Sequence, residues 1–176
     1  MPLTIRLATR SDVTVLQVLM DAAIARLQHA FLSPAQIEAS RAFMGLDMQL
    51  IYDGTYFVVD VDGTIAGCGG WSRRATLYGG DHSAGRDARL LDPTVEPART
   101  RAMYTHPDFA RRGVGRLILS HCEEAARAEG FIAMELMATM AGVPLYTVAG
   151  YQPLETILDD RGGIPVPLTR MRKAIG

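Results

Sequence analysis

Cysteine is scarce in this chain: Cys68 and Cys122 are the only two in 176 residues. That is too few for a disulfide framework, and the two lack the paired spacing of a metal site, so a reducing, cytoplasmic setting without a bound metal is expected. Long apolar runs are missing too. None approaches the roughly 20 residues of a membrane span, and the opening MPLTIRLATRSD has no apolar core of signal-peptide length, which predicts a soluble protein with no membrane partner. Excess charge of either sign is absent: 18 basic and 19 acidic residues leave a net charge of -1, which excludes a generally basic nucleic-acid binder. Lysine is nearly absent, Lys173 standing alone among the basic residues. At this length one domain, 1–176, can bury a core without staples.

The charge that is present is unevenly spread. Arg99 to Arg116 holds five arginines against Asp108, whereas His29 to Thr64 holds five acids (Glu38, Asp47, Asp53, Asp60, Asp62) against Arg41. The elements follow from periodicity. Leu3 to Thr9 alternates as a strand. Ser11 or Asp12 can cap a helix with apolar positions Val15, Leu16, Leu19, Ala22, Ala23 and Leu27. Ser33, Pro34 and Gln36 form a helix-start signature, and Gly45 can end that second helix. Tyr56 to Val61, the Asp62-Gly63 turn and Thr64 to Arg73 read as a hairpin. Residues 75 to 98 lack periodicity and are too long for an ordinary connection, so they either contact substrate or form a mobile surface insertion. Arg101 to Thr105 is a short strand, and Val114 to Glu129 is a helix with a stripe at Val114, Leu117, Ile118, Cys122, Ala125 and Ala126. Phe131 to Ala138 is a doubly buried strand, parallel to the strand before the helix. A short helix over Val143 to Ala149 leads into YQPLETIL, and VPLTRMRKAI closes the chain as a strand.

Between strand and helix lies ARRGVGR, Ala110 to Arg116. Backbone N–H groups at a helix start converge on one point and bind anions; Gly113 and Gly115 let a ligand approach, and Arg111, Arg112 and Arg116 add charge suited to phosphate. A plain structural turn is the alternative. A phosphate-binding P-loop needs Lys-Ser/Thr after its second glycine, where Arg116-Leu117 stands, and the dinucleotide fingerprint needs a third glycine, where Ile118 stands.

The run MYTHPDFARRGVGRLIL, followed by a strand, by VPLYTVAGYQP and by a closing strand, resembles the GNAT superfamily of acyl-CoA-dependent N-acyltransferases. The resemblance implies an α+β, α/β/α-layered fold: a mixed sheet of about six to seven strands flanked by about four helices, with a parallel pair splayed around coenzyme A. It implies acetyl transfer from acetyl-CoA to a primary amine by direct attack in a ternary complex. Met103, Tyr104 and Thr105 would pair with the pantetheine arm, and Arg111, Arg112, Gly113, Val114, Gly115 and Arg116 would wrap the pyrophosphate mainly by backbone N–H groups. One departure is Ala110, where the family commonly has Arg or Gln, so the side-chain share of that contact is reduced. Tyr146 is the implied general acid beside the sulfur, and Thr105 or Met103 the oxyanion donor. The alternative is an acyl-CoA-binding regulatory or scaffold protein of the same fold without turnover. The family's habit also implies a homodimer.

The remaining chemistry is read from residue types. Glu135, in a buried strand, is the candidate base, against the commoner outcome of a carboxylate paired to an arginine. His106 serves the turn, His121 the packing of the helix, and Cys122 the core. Cys68 has no adjacent base, which disfavours an acyl-enzyme. A cationic small-molecule or peptide amine would be drawn to the acid-rich segment, with Phe31, Tyr56, Trp71, Tyr78 and loop residue His82 as candidate contacts.

Overall fold

A computed structural model describes residues 2–176. Its centre is a seven-stranded sheet in the order β1-β2-β3-β4-β5-β7-β6: β1 (Thr4–Leu7), β2 (Tyr56–Val61), β3 (Thr64–Ser72), β4 (Ala98–Thr105), β5 (Ala133–Thr139), β6 (Gln152–Asp159) and β7 (Val166–Ala174). Every neighbouring pair is antiparallel except β4 and β5. The layered α+β architecture read from the sequence is therefore present, with β7 inserted between β5 and the edge strand β6. No helix among the described residues is long and apolar enough to cross a membrane.

One face of the sheet packs on α1 (Val13–Leu27), α2 (Pro34–Ser40) and α3 (Met48–Tyr52); the other packs on α4 (Val114–Ala128) and α5 (Val143–Val148). In α1 the buried stripe is Leu16, Leu19, Met20, Ala23 and Ile24, so Val15 faces solvent. The helix start is held by Asp12, but not as a simple cap: its carboxylate accepts from the Thr9 N–H at 2.8 Å and is gripped by Arg6 at 2.8 and 2.9 Å. The Ser33–Gln36 capping box forms as the sequence predicts, yet α2 stops at Ser40 rather than Gly45. The Ser40 hydroxyl turns back onto the Ile37 carbonyl and accepts from Gln28, ending the helix and leaving Phe43 free to fold inward. A third helix, absent from the sequence reading, starts at Asp47, whose side chain accepts from the Gln49 N–H.

The glycines of β3 do more than loosen a strand. A Cβ on Gly67 would run into Val114 of α4, and one on Gly69 into Met103, so the missing side chains let α4 lie directly on the sheet. Its stripe, Val114, Ile118, Leu119, Cys122 and Ala126, is buried there. That seating fixes the N-terminus of α4 and the loop in front of it.

Candidate active site

The parallel pair is short. β4 and β5 are in register only at Ala98↔Met134 and Arg99↔Glu135, although β4 continues to Thr105 and β5 to Thr139. Beyond that point the strands part and leave a notch in the sheet. A bulge helps: Cys68 opposes Tyr104 but Gly70 opposes Arg101, so β4 holds one residue more than β3, with Ala102 at φ 50°. The Tyr56 hydroxyl donates to the Ala102 carbonyl at 2.6 Å and pins the distortion. On the far side of the bulge the His106 N–H points to β3, donating to Ala66 at 2.8 Å. Strand alternation then turns the backbone groups of Thr105 and Met103 the other way, toward the gap that β5 has vacated.

The notch contains a cavity of about 80 Å³. Thr100 to Tyr104 form one wall, Leu136, Met137 and Thr139 of β5 another, and Tyr146 closes it from α5. Phe43–Gly45 and Leu77–Gly79 cover the opposite side. Tyr146 is buried, its ring edge-on to Tyr151 at 5.8 Å, and its hydroxyl forms no hydrogen bond with any described residue. Burial, with smaller contributions from Tyr104 and Cys122, raises its pKa far above that of an ordinary phenol, so it stays protonated. The Tyr104 phenol is likewise raised by burial and accepts from the Gly45 N–H at 2.9 Å. Cys68 lies under the sheet, its thiol pushed up to about 12 by burial, which removes it as a nucleophile.

At the open end of the notch the chain turns through Pro107–Phe109, where His106 Nδ1 accepts from the Asp108 N–H at 3.1 Å, and enters the glycine loop. Gly113, the N-cap of α4, adopts φ 85°, and Arg111 adopts φ 61°. No N–H from Arg111 to Arg116 donates to a described backbone or side-chain acceptor, and Arg111, Arg112 and Arg116 form no ion pair there; Arg112 stacks on Phe109 at 5.4 Å. The result is a run of free backbone donors among three arginines without ion pairs, suited to an anion such as a pyrophosphate. Gly115 serves packing instead. A Cβ there would approach Leu145 to 2.7 Å, so its absence lets α5 pack against the start of α4. Two of the three described non-glycine residues with positive φ, Ala102 and Arg111, belong to this site.

The acetyltransferase (GNAT) domain model matches residues 52–153, well over half of the chain. The chain belongs to the GNAT acetyltransferase family. The matched span includes β4, β5, the glycine loop and Tyr146, but not Phe43–Gly45 of the cavity wall. No curated protein matches the sequence. Among solved structures, a GCN5-related N-acetyltransferase from Rhodopseudomonas palustris is 20% identical with a TM-score of 0.72, the alignment covering 97% of this chain and 94% of that one. The PaiA N-acetyltransferase from Thermoplasma acidophilum, solved with coenzyme A, is 14% identical with a TM-score of 0.65 and 99% coverage of both chains. The yncA protein of Salmonella typhimurium, solved with its cofactor acetyl-CoA, is 18% identical with a TM-score of 0.65, covering 100% of this chain and 95% of that one. At these identities the likeness establishes the GNAT fold.

Several expected contacts lie elsewhere. Glu135 does not line the cavity; it sits where β4 and β5 still pair, bonded to Arg170 at 2.9 Å with Arg172 at 4.0 Å. Trp71 is fully buried against Phe131 in the α4-side core, and Phe31 stands exposed in the α1–α2 connection. His82 is exposed, and its Nε2 lies 2.6 Å from the Arg41 carbonyl, tying its loop to the end of α2. Of the acceptor-side aromatics, Tyr78 lines the cavity, donating to Asp159 at 2.7 Å with Arg161 over its ring at 4.9 Å.

The acid-rich segment does not make an acid-lined cleft. Glu38 pairs with Arg41, Asp53 with Arg74, and Asp47 with Arg86 and Arg101. No carboxylate lines the cavity. The 75–98 segment is strapped down by those pairs, by the Thr76–Asp87 bonds and by Arg161 on the Ala84 carbonyl, so its Leu77–Gly79 stretch is held as a wall. Arg101, Phe43, Met44 and Met137 were not among the expected site residues; the one sequence signal available was an arginine inside a strand that had to be buried.

Proposed function

We propose that this GNAT protein transfers the acetyl group of acetyl-CoA to a primary amine by direct attack in a ternary complex, with Tyr146 as the acid. The observation that carries the reading is Tyr146 itself, which lines the notch between β4 and β5 and whose hydroxyl has no described hydrogen-bond partner. Bound acetyl-CoA supplies the acyl group as a thioester. Met103 to Thr105 hold its pantetheine arm by backbone bonds across the gap, and the Arg111–Arg116 N–H groups hold its pyrophosphate. The Thr105 or Met103 N–H, turned toward the gap, donates to the carbonyl oxygen as charge gathers there. Tyr146, protonated at every working pH, first donates a hydrogen bond to the departing sulfur and then its proton, and the proton that the attacking nitrogen sheds on becoming an amide returns through solvent to the phenolate. Glu135, held by Arg170, takes no part in proton transfer and fastens β5 to β7. The amine therefore arrives neutral from solvent, and kcat/KM rises with pH along the acceptor's own titration.

The reading is tested by giving the purified protein acetyl-CoA and a panel of amines. It predicts one equivalent of free thiol for each equivalent of acetylated amine. Coenzyme A binding with no acetylated product from any amine would instead support a regulatory or scaffold role.

A further inference from the structure

Behind the cavity wall lies a charge cluster that acetyl transfer as such does not require. Arg101, on β4, lines the cavity and is only 2% exposed. Its guanidinium donates to Asp47 Oδ2 at 2.9 Å and to the Gly79 carbonyl at 2.5 Å. Asp47, 1% exposed, accepts at its other oxygen from Arg86 at 2.9 Å, and Arg86 also donates to the Gly80 carbonyl at 3.0 Å. No second described carboxylate pairs with either arginine. Two guanidiniums thus share one carboxylate and leave one positive charge unpaired, in a cluster buried at Arg101 and Asp47 and reaching solvent at Arg86, which is 27% exposed.

We propose that the acceptor is a small molecule carrying both an amine and a carboxylate, oriented in the cavity by the uncompensated charge of the Arg101–Asp47–Arg86 cluster. The inference rests on the acetyl-transfer reading and names its substrate class. Three features agree on it. The cavity contains no carboxylate to receive a second cationic group. A positive field stabilises an anionic substituent and favours the neutral form of the attacking amine, in a site where no side-chain base is at hand. Both covering walls are fastened, Gly79 and Gly80 to the cluster and Gly45 to the Tyr104 hydroxyl, which leaves room for a compact acceptor rather than a peptide strand. The burial that depresses the Arg101 guanidinium pKa marks the charge as poorly solvated and open to stabilisation by an anion.

The test compares matched acceptors in steady-state acetylation: free amino acids, the amines left when their carboxylate is removed, aminophosphonates, and tripeptides with a free N-terminus. The expected result is a kcat/KM for amino acids at least about tenfold above the matched amines and the tripeptides, the effect of one unit charge a few ångströms away in a partly screened site. Aminophosphonates outrunning the carboxylates would overturn the carboxylate assignment. Arg86→Gln neutralises the cluster and is predicted to raise KM for the amino acid about tenfold with little change in kcat, and Arg86→Lys to restore it. Equal KM changes for the amino acid and its matched amine, or no rescue by lysine, would overturn the proposal. Calorimetry of the same panel on the coenzyme A-loaded protein gives a readout free of turnover, where equal binding of acid and amine would refute it. Failure of the acetyl-transfer reading looks different: no member of the panel is then acetylated, even where coenzyme A binds, and the inference falls with it.

Discussion

Replacing Gly113 by alanine separates the two ways in which the glycine loop could hold an anion. Gly113 has φ 85°, and a Cβ built there meets nothing within 4 Å, so the substitution introduces no clash. Its only effect is conformational, about 1–2 kcal/mol for a side-chain-bearing residue in the left-handed region. That energy can be expressed in two places. If the loop keeps its shape, the fold loses it, and urea unfolding shows a lower midpoint. If the loop relaxes, the N–H groups of Arg111 to Arg116 cease to converge, and coenzyme A affinity falls by about 5- to 30-fold. Calorimetric titration with coenzyme A and denaturant unfolding of the same protein measure both, and the two losses together should come to about 1–2 kcal/mol. Replacing Arg111 and Arg112 by alanine leaves the backbone donors in place and should weaken binding only about two- to fivefold, the usual size of solvent-exposed charge contacts. The account of backbone-led binding is refuted if Gly113→Ala binds coenzyme A as the parent does with unchanged stability, while the double arginine variant, still folded, loses binding altogether.

Three further outcomes follow from the packing. The Arg6 guanidinium, ahead of the Thr9 bonds, lowers the Asp12 pKa to about 2. A carboxylate lowered on folding adds stability above its unfolded value near 4 and loses it as pH falls toward 2, so Asp12→Asn should cost about 1–2 kcal/mol at pH 7, discounted because Arg6 is half exposed, and nothing near pH 2; unfolding curves that stay parallel across that range would contradict it. Gly67→Ala forces α4 away from β3 and should destabilise the protein by about 1–3 kcal/mol while also weakening coenzyme A, because α4 carries the loop; an unchanged midpoint would show that the helix is seated otherwise. Both thiols, buried and raised in pKa, should resist alkylation until the protein is denatured, which a labelling time course followed by mass spectrometry reads directly.

Local signals carried the sequence reading a long way where the interactions themselves were local. The Asp62-Gly63 turn, the Ser33–Gln36 box and the α4 stripe each depend on neighbours within a few residues, and each appears where periodicity and turn chemistry put it. The glycine loop was legible for the same reason, being a short arc between two recognisable elements. The cavity was not. Its walls come from residues far apart in the chain, and the Arg101–Asp47 pair behind them spans 54 positions. An acid-rich stretch therefore looked like a cation site, although each of Asp47 and Asp53 had an arginine waiting beyond the hairpin. The surroundings of Glu135 were hidden in the same way: its partner Arg170 lies on β7, which enters the sheet beside β5 only after the chain has passed through β6. Trp71 and Phe31 were separated by burial alone, a property of the assembled layers that composition does not encode.

The most direct test of the account is Tyr146→Phe, which removes one oxygen and leaves the ring against Tyr151. With acetyl-CoA and a productive amine, thiol release should slow about 100-fold or more, as loss of a general acid does. Coenzyme A affinity should stay within about a factor of two, since in the proposed mode backbone groups and not the phenol hold the cofactor. Turnover equal to the parent's across the full pH range, with coenzyme A bound as before, would contradict the account and leave the unpartnered hydroxyl in the notch without a role.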